Sequence, residues 1–144
     1  MDGYRAEQVI NGLWGEVWAD GDYIAEVTGL EAKVTLKTES ISQSRSLGDG
    51  TKIVGFEGKG TLKVNKINSR FLNLCSPKIK AGKQASITII TKLDDPDALG
   101  SERIKLIDCC INELTLADWE LKKNIEESIP FTFRDWEILD SIQA

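Results

Sequence analysis

Histidine is missing from the whole chain. Its absence removes a Ser-His-Asp or Cys-His nucleophile and every metal site that needs an imidazole. The 144 residues include 3 cysteines, 3 prolines and 2 tyrosines. Cys75, Cys109 and Cys110 have no metal-ligand spacing, and the last two are neighbours that would face opposite ways on a strand. They are expected to be small buried hydrophobes in a reducing compartment. No apolar run approaches the ~20 residues of a membrane span. The first residues carry no basic-then-apolar leader, so the chain is expected to stay where it is synthesised, with no membrane partner.

Other catalytic signals are equally thin. Asp94, Asp95 and Asp97 suggest a calcium loop, but counting from Asp95 puts Leu99 and Leu106 where the fifth and twelfth ligands belong. A solvated loop is the better account. Gly55, Gly58 and Gly60 lie within a strand pattern and precede no Gly-Lys-Ser/Thr, so they mark tight packing or a bulge rather than a phosphate loop. Phe71 is the only aromatic between Gly58 and Lys92, so the aromatic interleaving of a single-strand reader is absent there. No cofactor, metal or enzymatic activity is expected.

What the chain does contain is alternation. Leu30, Ala32, Val34 and Leu36 share one parity, with Glu31, Lys33, Thr35, Lys37 and Glu39 on the other. Phe56, Gly58, Gly60, Leu62 and Val64 alternate with Glu57, Lys59, Thr61 and Lys63 in the same way. This period of two predicts half-buried strands. Residues 40–54 between them are polar and long, whereas hairpin loops usually take ~2–5 residues. This segment (Ser40, Ile41, Ser42, Gln43, Ser44, Arg45, Ser46, Leu47, Gly48, Asp49 and onward to Val54) is either a surface loop or an arm that orders against another molecule.

The remaining elements follow in order. Residues 1–11 are polar and expected to be mobile until they meet a partner. A hairpin is predicted over 13–28, turning at Asp20-Gly21-Asp22, with Leu13, Val17 and Ala19 on one side and Trp14 and Trp18 on the other. The tryptophans suit core or aromatic cover more than a binding platform. Parity changes at Gly29, which predicts a bulge. One helix is expected, capped by Asn65 or Asn68, with Ile67, Phe71, Leu74 and Cys75 as its core face. Pro77 is expected to stop it and Gly82 to release the chain.

Further strands are predicted over 85–93, 102–116 and 128–138. The middle one is apolar at both parities, hence covered on both sides or bulged near Asp108. Residues 117–127 fit a short helix or a strand extension. In the last strand Ile129, Phe131 and Phe133 share a face, and Pro130 favours an edge or a strand start.

Charge is segregated. Residues 58–92 hold eight bases and no acid, whereas residues 113–144 hold eight acids and three bases. Three readings stand: pairing within one subunit, a nucleic-acid patch, or head-to-tail contact between subunits.

Three segments together resemble a known family. Gly58-Lys-Gly-Thr-Leu-Lys-Val-Asn-Lys66 runs into Ile67-Asn-Ser-Arg-Phe71, carrying Gly58, Gly60, Lys66, Ser69 and Phe71. Leu93-Asp-Asp95 precedes Gly100-Ser-Glu-Arg-Ile-Lys-Leu106, with Glu102 and Arg103. Ser128-Ile-Pro-Phe-Thr-Phe-Arg-Asp-Trp136 contributes Pro130, Phe131 and Phe133. Their order and spacing over residues 8–140 resemble the tail tube proteins of contractile-tailed phages and PBSX-like phage particles. That resemblance implies a single mainly β domain: a β-sandwich or barrel of two packed antiparallel sheets with one flanking α-helix. It also implies hexameric rings stacked into a hollow tube, with edge strands joining neighbours and DNA only as passing cargo. Tail sheath, tape-measure and baseplate proteins would be partners, and assembly would occur in the host cytoplasm before incorporation into a virion or particle. Residues 40–54 would be the assembly loop. An acidic lumen would let DNA slide, since Lys and Arg contacts hold phosphate. The alternative is a monomeric β-barrel module that binds a small ligand or nucleic acid.

Overall fold

The alternating segments do become antiparallel strands, eight in all with one α-helix, in a computed structural model that describes residues 3–143. They are β1 (Gly15–Ala19), β2 (Asp22–Tyr23), β3 (Val27–Ile41), β4 (Gly50–Asn65), α1 (Arg70–Lys80), β5 (Ser86–Leu93), β6 (Glu102–Ile111), β7 (Glu126–Phe133) and β8 (Asp135–Asp140). The fold is mainly β with one flanking helix. Its layers are hydrogen-bonded into one continuous sheet in the order β2-β1-β5-β6-β7-β4-β3, and β8 also pairs with β6. Strands β1 and β3, near opposite ends of that order, come into contact, so the sheet folds over a shared core. Val17, Ile89 and Leu106 from one half meet Leu62, Ile129 and Phe131 from the other.

Local chemistry explains most joints. Asp20 (φ 50°) and Gly21 (φ 85°) form a two-residue turn between Ala19 and Asp22, the left-handed pair that a tight hairpin requires. Thr28 is the extra residue between the pairs Val27↔Val64 and Gly29↔Lys63, which is the phase change expected at Gly29. Asp108 (φ 53°) and Ile107 together oppose Thr88, between the pairs Cys109↔Ile87 and Leu106↔Ile89. This bulge resolves the double parity of the strand: Leu106 is buried before it, Cys109 and Ile111 after it. Burial pushes the Cys109 thiol up to about 12 and raises that of Cys75.

Several expectations need correction. Leu13 belongs to a short 3-10 turn (Gly12–Trp14) and is 80% exposed, so the first strand begins only at Gly15. β6 ends at Ile111, and the chain then runs without helix or strand until Glu126. The last strand breaks at Arg134, whose N–H bonds to the Ile107 carbonyl; β7 thereby pairs with the end of β6 and β8 with its beginning. Pro130 stands inside β7 rather than at its start. β6 ends opposite Phe131, so at Pro130 the strand has a ladder partner on the β4 side alone.

The helix starts later and ends later than expected. Asn68 Oδ1 accepts from the Arg70 N–H at 3.1 Å and so caps it, while Ser69 occupies the capping position without a side-chain bond. Ile67 therefore precedes the helix and is 70% exposed, whereas Phe71 and Cys75 are buried and Leu74 packs beside them. Pro77 lies inside α1. Near the C-terminal turn its missing N–H removes one bond, and the chain continues to Lys80. Gly82 (φ +73°) closes the end: its N–H reaches the Ile79 carbonyl and the Lys83 N–H the Lys78 carbonyl. In the N-terminal segment expected to be mobile, Met1 and Asp2 lie outside the described residues. Asn11 is moored by its N–H to Asp95 Oδ2 at 2.9 Å.

Candidate assembly surface

The strands β3 and β4 outrun the body. Up to Leu30 and Leu62 they help to cover the core, but every residue from Glu31 to Asp49 is exposed. Two glycines mark the boundary. A Cβ on Gly58 would lie 2.5 Å from the Phe133 ring, and one on Gly60 2.5 Å from the Phe131 ring and 2.6 Å from the Glu31 carbonyl. The phenylalanines lie across these glycines in register, Gly58↔Phe133 and Gly60↔Phe131. Tight packing is therefore the reason for both glycines.

Beyond this point the chain forms a projecting hairpin rather than a loop spanning 40–54. Ser40 pairs with Thr51 and Ile41 with Gly50, so only residues 42–49 connect the strands. The sequence pattern hid this because Val54 is an unpaired extra residue between Lys37↔Gly55 and Thr38↔Ile53, which reverses the parity of β4. A ribbon with no core beneath it also needs no apolar alternation, only backbone partners. At the tip, Ser42 Oγ donates to Asp49 Oδ1 (3.3 Å), Ser46 Oγ to the Gly48 carbonyl (2.8 Å), and Arg45 has φ 63°. Leu47 is fully exposed.

The arm has two unlike faces. Leu36 and Phe56 oppose each other, followed by Thr38 and Ile53; Leu36 is 54% and Ile53 60% exposed. Phe56 meets Trp136 of β8 edge to face at 5.3 Å. This apolar face runs into an open cleft of about 610 Å³ lined by Val17, Leu30, Val34, Ile104 and Leu106 among others. The other face carries Lys33, Lys37, Lys52 and Lys59 with Glu31, Glu39 and Glu57. Ion pairs Lys33–Glu31 (3.2 Å) and Lys59–Glu57 (3.3 Å) partly neutralise it. Among the described residues the outer flank of β3 has no strand partner.

At the far end of β4 the charges are buried. Lys66 Nζ lies 3.6 Å from Glu127 and Arg70 Nη1 3.5 Å from Glu26, both carboxylates almost wholly covered. These two acids escaped the sequence reading, which registered charge only by segment. Among the described residues, four of the eight bases in 58–92 make intrasubunit ion pairs (Lys59, Lys66, Arg70 and Lys92), and only Lys66 reaches the acidic tail. Among the other motif positions, Arg103 pairs with Asp140 at 3.4 Å and Glu102 lies opposite Leu93. Asp95 accepts the Asp97 N–H as well as that of Asn11, so the acidic loop is a backbone-capping device. Trp136 belongs to the apolar surface yet stood outside the sequence-based candidates. Its alternation with Asp135 and Glu137 was the available signal.

Comparison with known proteins places this geometry. The chain is 28% identical over 140 residues to phage-like element PBSX protein XkdM of Bacillus subtilis (strain 168), covering 96% of this chain and 95% of that one. A solved Bacillus subtilis protein structure matches at 28% identity and TM-score 0.53, covering 88% of this chain and 92% of the other. The sheath-tube complex of an extracellular contractile injection system in its extended state contains a chain of the same fold, at 10% identity and TM-score 0.72 over 94% of this chain and 95% of that one. Residues 3–140 match the family model described as phage tail tube protein, and the chain belongs to that family.

Proposed function

We propose that this subunit forms six-membered rings that stack into the hollow tube of a contractile phage tail or phage-like particle, a conduit for DNA or an injection needle. The observation that carries this reading is the projecting arm, a 15-residue strand paired on one side only and apolar on one face. Such an edge invites uncontrolled pairing unless another copy covers it. A closed ring of heterologous contacts supplies that cover without leaving a free edge. The arm formed by β3, β4 and the 42–49 tip is the assembly element, and Gly58, Gly60, Phe131 and Phe133 fix where it leaves the body. Sheath, tape-measure and baseplate proteins are the further partners, and assembly takes place in the host cytoplasm. Four lysines against three glutamates on the arm's polar face mean that an acidic lumen would have to come from other strands. Among the described residues no helix is long and apolar enough to cross a membrane. Negative-stain microscopy of purified protein tests the reading: rings or tubes with sixfold symmetry are expected, and monomers under all conditions would refute it.

A further inference from the structure

The β6–β7 connector carries a second exposed apolar surface. Leu116, Trp119 and Leu121 are 73%, 69% and 83% exposed, and Ile67 projects nearby from the chain beside Ile125. Residues 115–119 and 125–128, together with Lys66, enclose a recess of about 320 Å³. Asp118 and Glu126 stand on its rim. Asp118 makes no ion pair among the described residues, and neither does the arm-tip Arg45.

We propose that this recess is the socket for the arm tip of a second copy of the chain, Leu47 entering against Leu116 and Trp119 with Arg45 meeting Asp118 or Glu126. The two surfaces sit at opposite ends of β4. The tip precedes Gly50, and the socket adjoins Lys66, whose N–H bonds to the Ile125 carbonyl at 2.9 Å. Sixteen residues of strand span about 50 Å, so knob and socket cannot meet within one subunit. Their apolar character matches, and Arg45 of the tip complements Asp118 of the socket, each free of ion pairs among the described residues. This gives a head-to-tail contact that repeats along a stack. The tip is already shaped by the Ser42–Asp49 and Ser46–Gly48 bonds, so little order is lost on docking. This inference rests on the tube reading above and names the partner surface.

The test uses the full chain, with folding checked by circular dichroism melting. Leu47→Asp and Trp119→Ala should each raise the protein concentration needed for tubes by roughly tenfold or more, since each removes a buried apolar contact repeated at every subunit. Arg45→Glu and Asp118→Lys should each weaken assembly and together restore much of it. Leu47→Cys mixed with Trp119→Cys should give an intermolecular disulfide on mild oxidation that neither variant gives alone. Tubes at the wild-type concentration from Leu47→Asp, or a Leu47→Cys cross-link only to some other site, would overturn the socket while leaving the tube reading intact. A wild-type protein that never leaves the monomer would overturn both.

Discussion

The two halves of the β3–β4 hairpin share a sequence pattern and meet opposite fates. In the body half, Leu62 and Val64 are buried, and Phe131 and Phe133 fill the space left by Gly60 and Gly58. In the arm half, Leu36, Ile53 and Phe56 repeat the apolar positions but stay exposed, Phe56 covered in part by Trp136. Alternation therefore specifies that a face wants cover without specifying whose atoms supply it. The body half is covered within the chain, while the arm half is not.

The sharpest way to break this contrast is to truncate one aromatic on each side of it. Phe131→Ala should cost about 3–5 kcal/mol by denaturant titration, because a buried ring leaves a cavity among Leu62, Ile129 and the glycines. Phe56→Ala should cost less than about 1 kcal/mol in the monomer, since its ring is already 42% exposed. Equal losses would mean that the arm is not a separate region.

Removing residues 42–49 and closing the strands with a two-residue turn should shift monomer stability by no more than about 1 kcal/mol, because no core residue is lost. Tubes should disappear from micrographs, and normal tubes would end the arm's assignment to assembly.

Charge contrasts come next. Glu127→Gln should destabilise by about 1.5–3 kcal/mol, because Lys66 loses a nearly buried partner. Lys59→Ala, breaking an exposed pair with Glu57 on the arm, should change stability by less than about 0.5 kcal/mol.

The smallest effect at neutral pH concerns the thiols of β6. Cys109, raised from 9.0 to about 12, keeps its proton in the folded state when an unfolded thiol loses it. Its contribution to stability is thus complete below pH 9 and is lost as pH rises through about 12. At pH 8 a thiol reagent should modify half-buried Cys110 well before Cys109, as read by mass spectrometry of the native protein.

Much of this division is legible in the sequence. Asp20-Gly21 announced a tight turn, the parity change at Gly29 announced a bulge, and Ile129, Phe131 and Phe133 announced a shared inner face. The errors fell where one residue decides a parity or a boundary. Val54 concealed the upper part of β4, and Arg134 divided what looked like one strand. Ile67 matched a helical stripe, but the cap at Asn68 starts the helix beyond it.

The sequence by itself determined which side chains share a face, where the backbone can turn and to which family the chain is similar. Those features depend on period, on positive φ and on spacing, all of which are local. Tertiary structure alone decided that one sheet would fold over a common core, that Glu26 and Glu127 would be buried beside cations, and that the hairpin would project beyond the body. Burial is a collective property. A strand is covered only where other elements reach it, and in this chain they stop near Gly58.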